Sequence, residues 1–415
     1  MSSPAIKEPI PFRSICSLTY DEREVEAATR LLRNPDLLFR HRGENKSESD
    51  LFEKEVCELT GAKHALFVSS GTSALSCCLS ALEIGPGDDV IIPAYTYIAT
   101  ASAVIDVGAI PILAEIDESL GMDPDDLERK ITPYTKAVIA VHMQGVPCQL
   151  DRLRSIARAH NLYFIEDCCQ AIGAQYHGKY CGVESDAFAW SLNYYKTITC
   201  GEGGVFFAKD DHAFQMGVCQ SDPANLMWKS GLADSDTVKP FSRAGYRANE
   251  LAAAVARVQL TKLEGIIEKT RALKKYLISK LNTPVHYQLQ KVDDPEGDAG
   301  ISFAIICKTP ELTRRMSEEL AVEGLEIGSI YNAKGFPDRH IYAYWDSIMN
   351  MNAPTGASYP WKDPAYKGKV EYSRDMCPKT LDILNRCLRL SFNPGLTFEH
   401  MDQIAEAINN ADARL

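Results

Sequence analysis

Short apolar runs alternate with amphipathic stretches through the first half of the chain. The runs Ala65–Ser69, Asp89–Pro93, Ile110–Glu115, Ala137–His142, Tyr163–Glu166 and Val205–Ala208 are rich in Val, Ile, Leu and Phe and have the length of buried strands. Between several of them, Thr72–Leu82, Tyr97–Val107 and Leu150–His160 carry the pattern of helices. This alternation predicts an α/β fold, a mostly parallel sheet with helices on both faces. Ligands of such sheets bind beyond the carboxyl ends of the strands. The loops at Ser70–Thr72, Tyr95–Tyr97, Asp167–Gln170 and Ser191–Lys196 are therefore the places to look for chemistry.

Outside that region the pattern is coarser. Tyr20–Arg33 reads as a helix running from acidic to basic, followed by a polar, basic stretch through Lys46. Asp211–Phe241 shows little periodicity and several Gly, Pro, Asp and Ser residues, which predicts a long loop. Asn249–Leu281 predicts one or two long helices, with Leu251, Val255, Val258, Leu263 and Ile266 spaced for one face. A strand at Ile301–Cys307 and helices at Leu312–Glu323 and Glu399–Ala411 predict a smaller α+β unit. At 415 residues the chain is too long for one small core. The expected division is an N-terminal segment (1–50) packing on the small domain or a dimer partner, a large domain (51–262) and a small C-terminal α+β domain (263–415).

Composition narrows the function classes. A hydrophobic fraction of 45% and a charged fraction of 24% are ordinary for a folded soluble protein. The net charge of -12, with no Lys/Arg block, argues against a nucleic-acid surface. A single phosphate can still be held by backbone N–H groups. The 13 cysteines are odd in number, several lie in apolar runs, and no Cys-x-x-Cys pair occurs, so neither a zinc ribbon nor a thioredoxin-like motif is supported and no metal site is expected. No apolar run reaches the ~18 residues of a membrane span, and the N-terminus lacks a signal-peptide core. A cytoplasmic location follows as the expectation, and the sequon Asn45-Lys46-Ser47 carries no weight there.

Three segments carry chemistry. Phe67–Leu75 runs from a strand through Ser-Gly-Thr straight into a helix; it is either a well-capped helix or an anion seat built from free N–H groups and the Thr72 hydroxyl. Phe164–Gly173 places Asp167 at a strand's carboxyl end, where a carboxylate must either cap the next helix or meet a cation such as a pyridinium. In Phe188–Gly204, Lys196 is the one lysine of an otherwise nearly uncharged run, which suggests a partly buried amine usable as a nucleophile toward a carbonyl, or a structural lysine paired with an acid. Together they offer a phosphate seat, a ring-nitrogen carboxylate and an aldehyde-binding amine, the three anchors of pyridoxal 5'-phosphate (PLP).

On these residues the chain resembles the DegT/DnrJ/EryC1/StrS family of PLP-dependent sugar aminotransferases, of fold type I. The matching motifs, in order, are Ser-Gly-Thr-x-Ala-Leu, Pro-x-x-Thr-aromatic-x-Ala-Thr, Glu-Asp-x-x-Gln-Ala-x-Gly and Ser-x-x-x-x-Lys-x-x-x-x-Gly-Glu-Gly-Gly. Within the family, the runs Ala114–Glu118, Lys196–Gly204 and Asp294–Asp298 look most similar to enzymes that aminate an eight-carbon keto sugar acid. The resemblance implies that Lys196 forms the Schiff base with PLP and acts as general base, and that Asp167 pairs with the pyridine nitrogen. It further implies that Gln170 bonds the ring 3-oxygen, that Tyr97 stacks on the ring, and that Gly71, Thr72 and Ser191 contact the phosphate. It also implies a homodimer with the active site at the subunit interface. Two positions depart from the family pattern. Gly245 stands where relatives carry an Asn that reaches the neighbouring subunit's phosphate, so either Arg243 or Asn249 compensates or this phosphate contact is lost. Asn193-Tyr-Tyr195 stands where many carry a His.

The reaction implied is amino transfer from glutamate or glutamine to a keto sugar or a sugar-like ketone. One rival keeps PLP but runs an elimination, dehydration or cyclisation on a non-sugar intermediate. Another is a non-catalytic protein on a decayed scaffold, which the joint presence of Lys196, Asp167 and Gln170 disfavours. No Gly-x-Gly-x-x-Gly follows a strand, so nicotinamide binding is not expected.

Overall fold

The computed structural model describes residues 4–41, 46–222, 238–332, 337–354 and 358–415. Its centre is a seven-stranded sheet of β1 (His64–Val68), β2 (Asp89–Pro93), β3 (Ile110–Ala114), β4 (Thr135–Val141), β5 (Tyr163–Asp167), β8 (Ala187–Ser191) and β9 (Gly204–Ala208). A small hairpin, β6 (Gln175–Tyr176) and β7 (Lys179–Tyr180), interrupts the series between β5 and β8. The order across the sheet is β1-β9-β8-β5-β4-β2-β3. The pairs from β3 to β8 are parallel, and β9 alone runs against its two neighbours.

Side chains alternate between the two faces, as the pleat requires. Leu66, Val68, Val90, Ile92, Ile139 and Phe206 enter one core, against the helices Gly71–Ala81, Ala99–Asp106 and Asp211–Ser221. Phe67, Ile91, Val138, Trp190 and Phe207 enter the other, against Glu48–Thr60, Leu150–Ala159 and Glu250–Leu260. Phe188 and Phe207 stack at 4.0 Å on that second face. The sheet buried on both sides explains why its strands read as continuous apolar runs.

A second sheet, β10 (Tyr287–Leu289), β11 (Ser302–Cys307) and β12 (Cys387–Ser391), is antiparallel throughout. It shares a third core with the helices Leu263–Lys280, Pro310–Val322 and Phe398–Arg414. The N-terminal segment touches both regions. Ala5 and Ile6 donate to Glu323, while the helix Glu22–Arg33, closed by an Asp21–Glu24 capping box, meets Gln259 and Lys262 through Glu24.

One expectation fails. The stretch from Asp211 begins not as a loop but as the helix Asp211–Ser221, capped by Asp210 and packed through Ala213, Phe214 and Val218. Its Gly217 and Gln215 hide the period, yet Gly217 is there because a Cβ would come within 2.2 Å of the Phe206 ring. The expected loop's later part, residues 223–237, lies outside the described residues, as do residues 42–45 of the basic stretch.

Candidate active site

The carboxyl ends of β1, β4, β5 and β8 open on a cavity of about 480 Å³. Gly71, Thr72, Tyr97, Asp167, Gln170, Ser191 and Lys196 all line it.

Its floor begins at the start of the helix Gly71–Ala81. Ser70, in extended conformation, caps this helix by accepting the N–H of Ser73. The first N–H groups of a helix have no intrahelical partner, so those of Gly71 and Thr72 stay open to an anion. The capped-helix reading of the segment is observed, and the cap leaves these two N–H groups available for the anion-seat reading. Every residue of the helix is buried except Thr72, whose side chain lies at the cavity. The approach of this turn to the strands leaves no room for side chains. A Cβ on Gly71 would lie 2.7 Å from Ser191 Cβ and 2.9 Å from Cys169 Sγ, and one on Gly204 would lie 2.2 Å from the Ser70 carbonyl oxygen.

Asp167 ends β5 and is 4% exposed. Its Oδ2 accepts from Thr100 Oγ1 at 2.9 Å and its Oδ1 from the Cys169 N–H at 3.0 Å. Two donors hold the carboxylate in place and leave it the acceptor capacity for a cationic N–H. Just behind it, Glu166 is fully buried and accepts from Arg154 (2.8 Å), His142 Nε2 (2.9 Å) and the Gly182 N–H (2.7 Å). The Cys148 N–H donates to His142 Nδ1 at 3.1 Å, which fixes the ring's proton on Nε2. Glu166, His142 and Cys168 come close enough for a metal, but the ring nitrogens and carboxylate oxygens are already engaged.

Burial pushes the Glu166 carboxyl up, and its bonds from His142 and Arg154 outweigh this and leave it below the usual value. A depressed folded pKa contributes stability that is present above the unfolded value near 4.5 and lost as pH falls through the depressed one. Glu166→Gln should therefore cost about 3 kcal/mol at neutral pH, with Glu184 still pairing Arg154. Urea unfolding should show that deficit shrinking as the pH is taken below about 4.

Lys196 follows β8 in a turn closed by its own N–H on the Asn193 carbonyl. Its amine is partly buried and makes no ion pair or hydrogen bond among the described residues, unlike the paired structural lysine of the alternative reading. Tyr97 is half exposed, and its ring meets His340 at 5.3 Å. Gln170 Oε1 accepts the Gln144 N–H at 3.2 Å.

Several lining residues carry no sequence signal that assigns them. Thr100 stands inside a recognised motif, but only the structure shows it holding Asp167. His340, paired with Asp338 at 2.7 Å, arrives from far along the chain. Asn193 donates to Glu202 at 2.8 Å at the rim, and Asn249 is spent as a helix cap on the Ala252 N–H. Among the described residues nothing lies within 4 Å of a Cβ built on Gly245.

An open helix N-terminus, a buried carboxylate and a lysine without an ion pair or hydrogen bond among the described residues meet at one edge of this sheet, a donor set of the kind PLP requires. The family model of the DegT/DnrJ/EryC1/StrS aminotransferases matches residues 20–347, and the chain belongs to that family. PLP is its cofactor, and the donor set described above fits it. The chain is 38% identical to GDP-perosamine synthase of Vibrio cholerae over 56% of its own length and 62% of that protein, so the match spans under two thirds of the relative. It is 32% identical to GDP-perosamine synthase of Escherichia coli O157:H7, over 68% of this chain and 75% of that one. DesV of S. venezuelae superposes with a TM-score of 0.76 over the whole of both chains, at 26% identity. Among the described residues no helix is long and apolar enough to cross a membrane.

Proposed function

We propose that this chain moves an amino group from an amino acid, glutamate or glutamine, to the ketone of a sugar in amino-sugar biosynthesis. The observation that carries the reading is the pairing, in one cavity, of the unpartnered Lys196 amine with the buried Asp167 carboxylate. The GDP-perosamine synthases among its relatives support a keto sugar as acceptor.

The bound cofactor supplies an aldehyde for the amine and a ring that withdraws electrons from the reacting carbon. Lys196 would hold the cofactor by its aldehyde through the side-chain amine. Its Nζ, when not holding the cofactor, would serve as the base for the donor's α-proton and as the acid that returns a proton to the cofactor's carbon across the nitrogen. Asp167 holds a proton on the ring nitrogen, and Thr100 and the Cys169 N–H hold Asp167. The open N–H groups of Gly71 and Thr72, with the hydroxyls of Thr72 and Ser191, anchor the phosphate. Tyr97 offers its ring to the cofactor's face, and Gln170 offers an N–H to the ring oxygen.

The active enzyme would be a homodimer with the cavity at the subunit interface. Tyr195, at the cavity mouth, is 79% exposed, which fits cover by a second copy. Light scattering should give twice 46.0 kDa. The 12 described cysteines are free, which fits a reducing compartment such as the cytoplasm.

The direct test is an absorbance spectrum of the PLP-loaded protein before and after L-glutamate, without acceptor. Loss of the visible band with growth of a pyridoxamine-type band in the near ultraviolet is the expected result. A visible band unchanged by either glutamate or glutamine would refute transamination from these donors, and a protein that develops no band with PLP would refute the cofactor site.

A further inference from the structure

The turn Met143–Gly145 follows β4 and stands beside the cavity. Gln144 has φ +59° and Gly145 φ +86°, so a residue with a side chain is held in the left-handed region that few such residues adopt. Strain of this kind is kept where surrounding contacts impose it. Three contacts do so. The Gln144 side-chain amide closes on the Tyr95 hydroxyl at 2.5 Å. The Gln144 carbonyl accepts from Ser302 Oγ at 3.0 Å, and the Gly145 carbonyl accepts from the Ala299 N–H at 2.9 Å. Gln144 Oε1 is buried without a partner among the described residues, so the Tyr95 hydroxyl is the one anchor of that side chain.

The conformation places the Gln144 N–H on Gln170 Oε1, at 3.2 Å. A backbone N–H can only donate, so the atom it meets must be the amide oxygen, and the orientation of the Gln170 amide follows. The NH2 end is what remains for the cavity that Gln170 lines.

We propose that Gln144 and Tyr95 are positioning residues, which hold the Gln170 amide with its NH2 toward the ring oxygen of the bound cofactor. The proposal rests on the reading of this cavity as the cofactor site. A donor at the ring oxygen stabilises its negative charge and loosens its hold on the proton shared with the neighbouring nitrogen. An amide free to turn would present its oxygen part of the time and lose that effect. The pH midpoint at which the bound cofactor changes its visible absorbance should therefore rise whenever the amide loses its orientation.

The test is a pH titration of that absorbance in the PLP-loaded protein, with PLP affinity measured on the apoprotein. Gln170→Ala sets the full effect, a midpoint about one unit higher and PLP binding roughly fivefold weaker. Tyr95→Phe and Ser302→Ala, on two different elements, should each raise the midpoint by less. Tyr95→Phe added to Gln170→Ala should raise it no further, because the effect runs through Gln170; a generally loosened site would add its own shift. The proposal is overturned if Gln170→Ala leaves the midpoint in place, if neither anchor variant moves it, or if the double variant shifts it beyond Gln170→Ala. No visible absorbance in the parent protein would overturn the cofactor reading instead, so the two failures are told apart.

Discussion

Lys196→Ala should slow the half-reaction with L-glutamate by roughly 10³- to 10⁴-fold and abolish the parent protein's visible absorbance band, while the protein stays folded. The separation of effects follows from what Lys196 touches. Its amine makes no hydrogen bond or ion pair among the described residues, so truncation breaks no structural contact and should change stability by no more than about 0.5 kcal/mol. The amine's whole worth lies in bonding the cofactor and carrying a proton. Lys196→Arg sharpens the test, since it keeps the positive charge and loses the nucleophile. If the arginine variant retained the parent rate, the role of Lys196 would be electrostatic and the mechanism above would fall. Stopped-flow absorbance with urea unfolding in parallel reads both quantities.

Asp167→Asn should lower the same half-reaction by roughly 10²- to 10⁴-fold with little loss of PLP binding. The amide can still accept from Thr100 or from the Cys169 N–H, so the local frame survives. What it lacks is the negative charge that keeps a proton on the ring nitrogen. A carboxylate 4% exposed meets that proton in a medium of low polarity, where one charge counts for much more than in water. A rate within several-fold of the parent would mean that the ring nitrogen does not need its proton here, or that Asp167 does not face it.

The sequence made the large domain's frame readable because its strands are buried on both faces. β2 is recovered residue for residue, and β1, β3, β4, β5 and β9 within a residue or two. β8 escaped the pattern because Ala187 and Ala189 are small enough to read as neutral between Phe188 and Trp190. The helix Asp211–Ser221 escaped because packing against Phe206 requires Gly217, a residue that otherwise signals a loop. At the cavity, the lining residues assigned from the sequence lie in four short motifs and are legible. Thr100, Gln144 and His340 are not, since the first two act across 67 and 26 residues on Asp167 and Gln170 and the third meets the Tyr97 ring from far along the chain, and no local spacing encodes a tertiary contact.

The glycines at 71 and 204 carry a last consequence. Gly204 is paired with Val68 on one side and Ser191 on the other, and the Ser70 turn rests directly on its backbone. Gly71 in turn rests on Ser191, five residues before Lys196. On the proposed reading, the phosphate turn and the lysine are thus the two jaws of a calliper whose arm is the main chain of Gly204 and Ser70 and the short Ser191 side chain, packed without slack. Such an instrument would gauge length, admitting a molecule whose phosphate and aldehyde are the right distance apart. A cofactor that fits is consequently also the part that sets the gap, and every substrate entering later is measured from it.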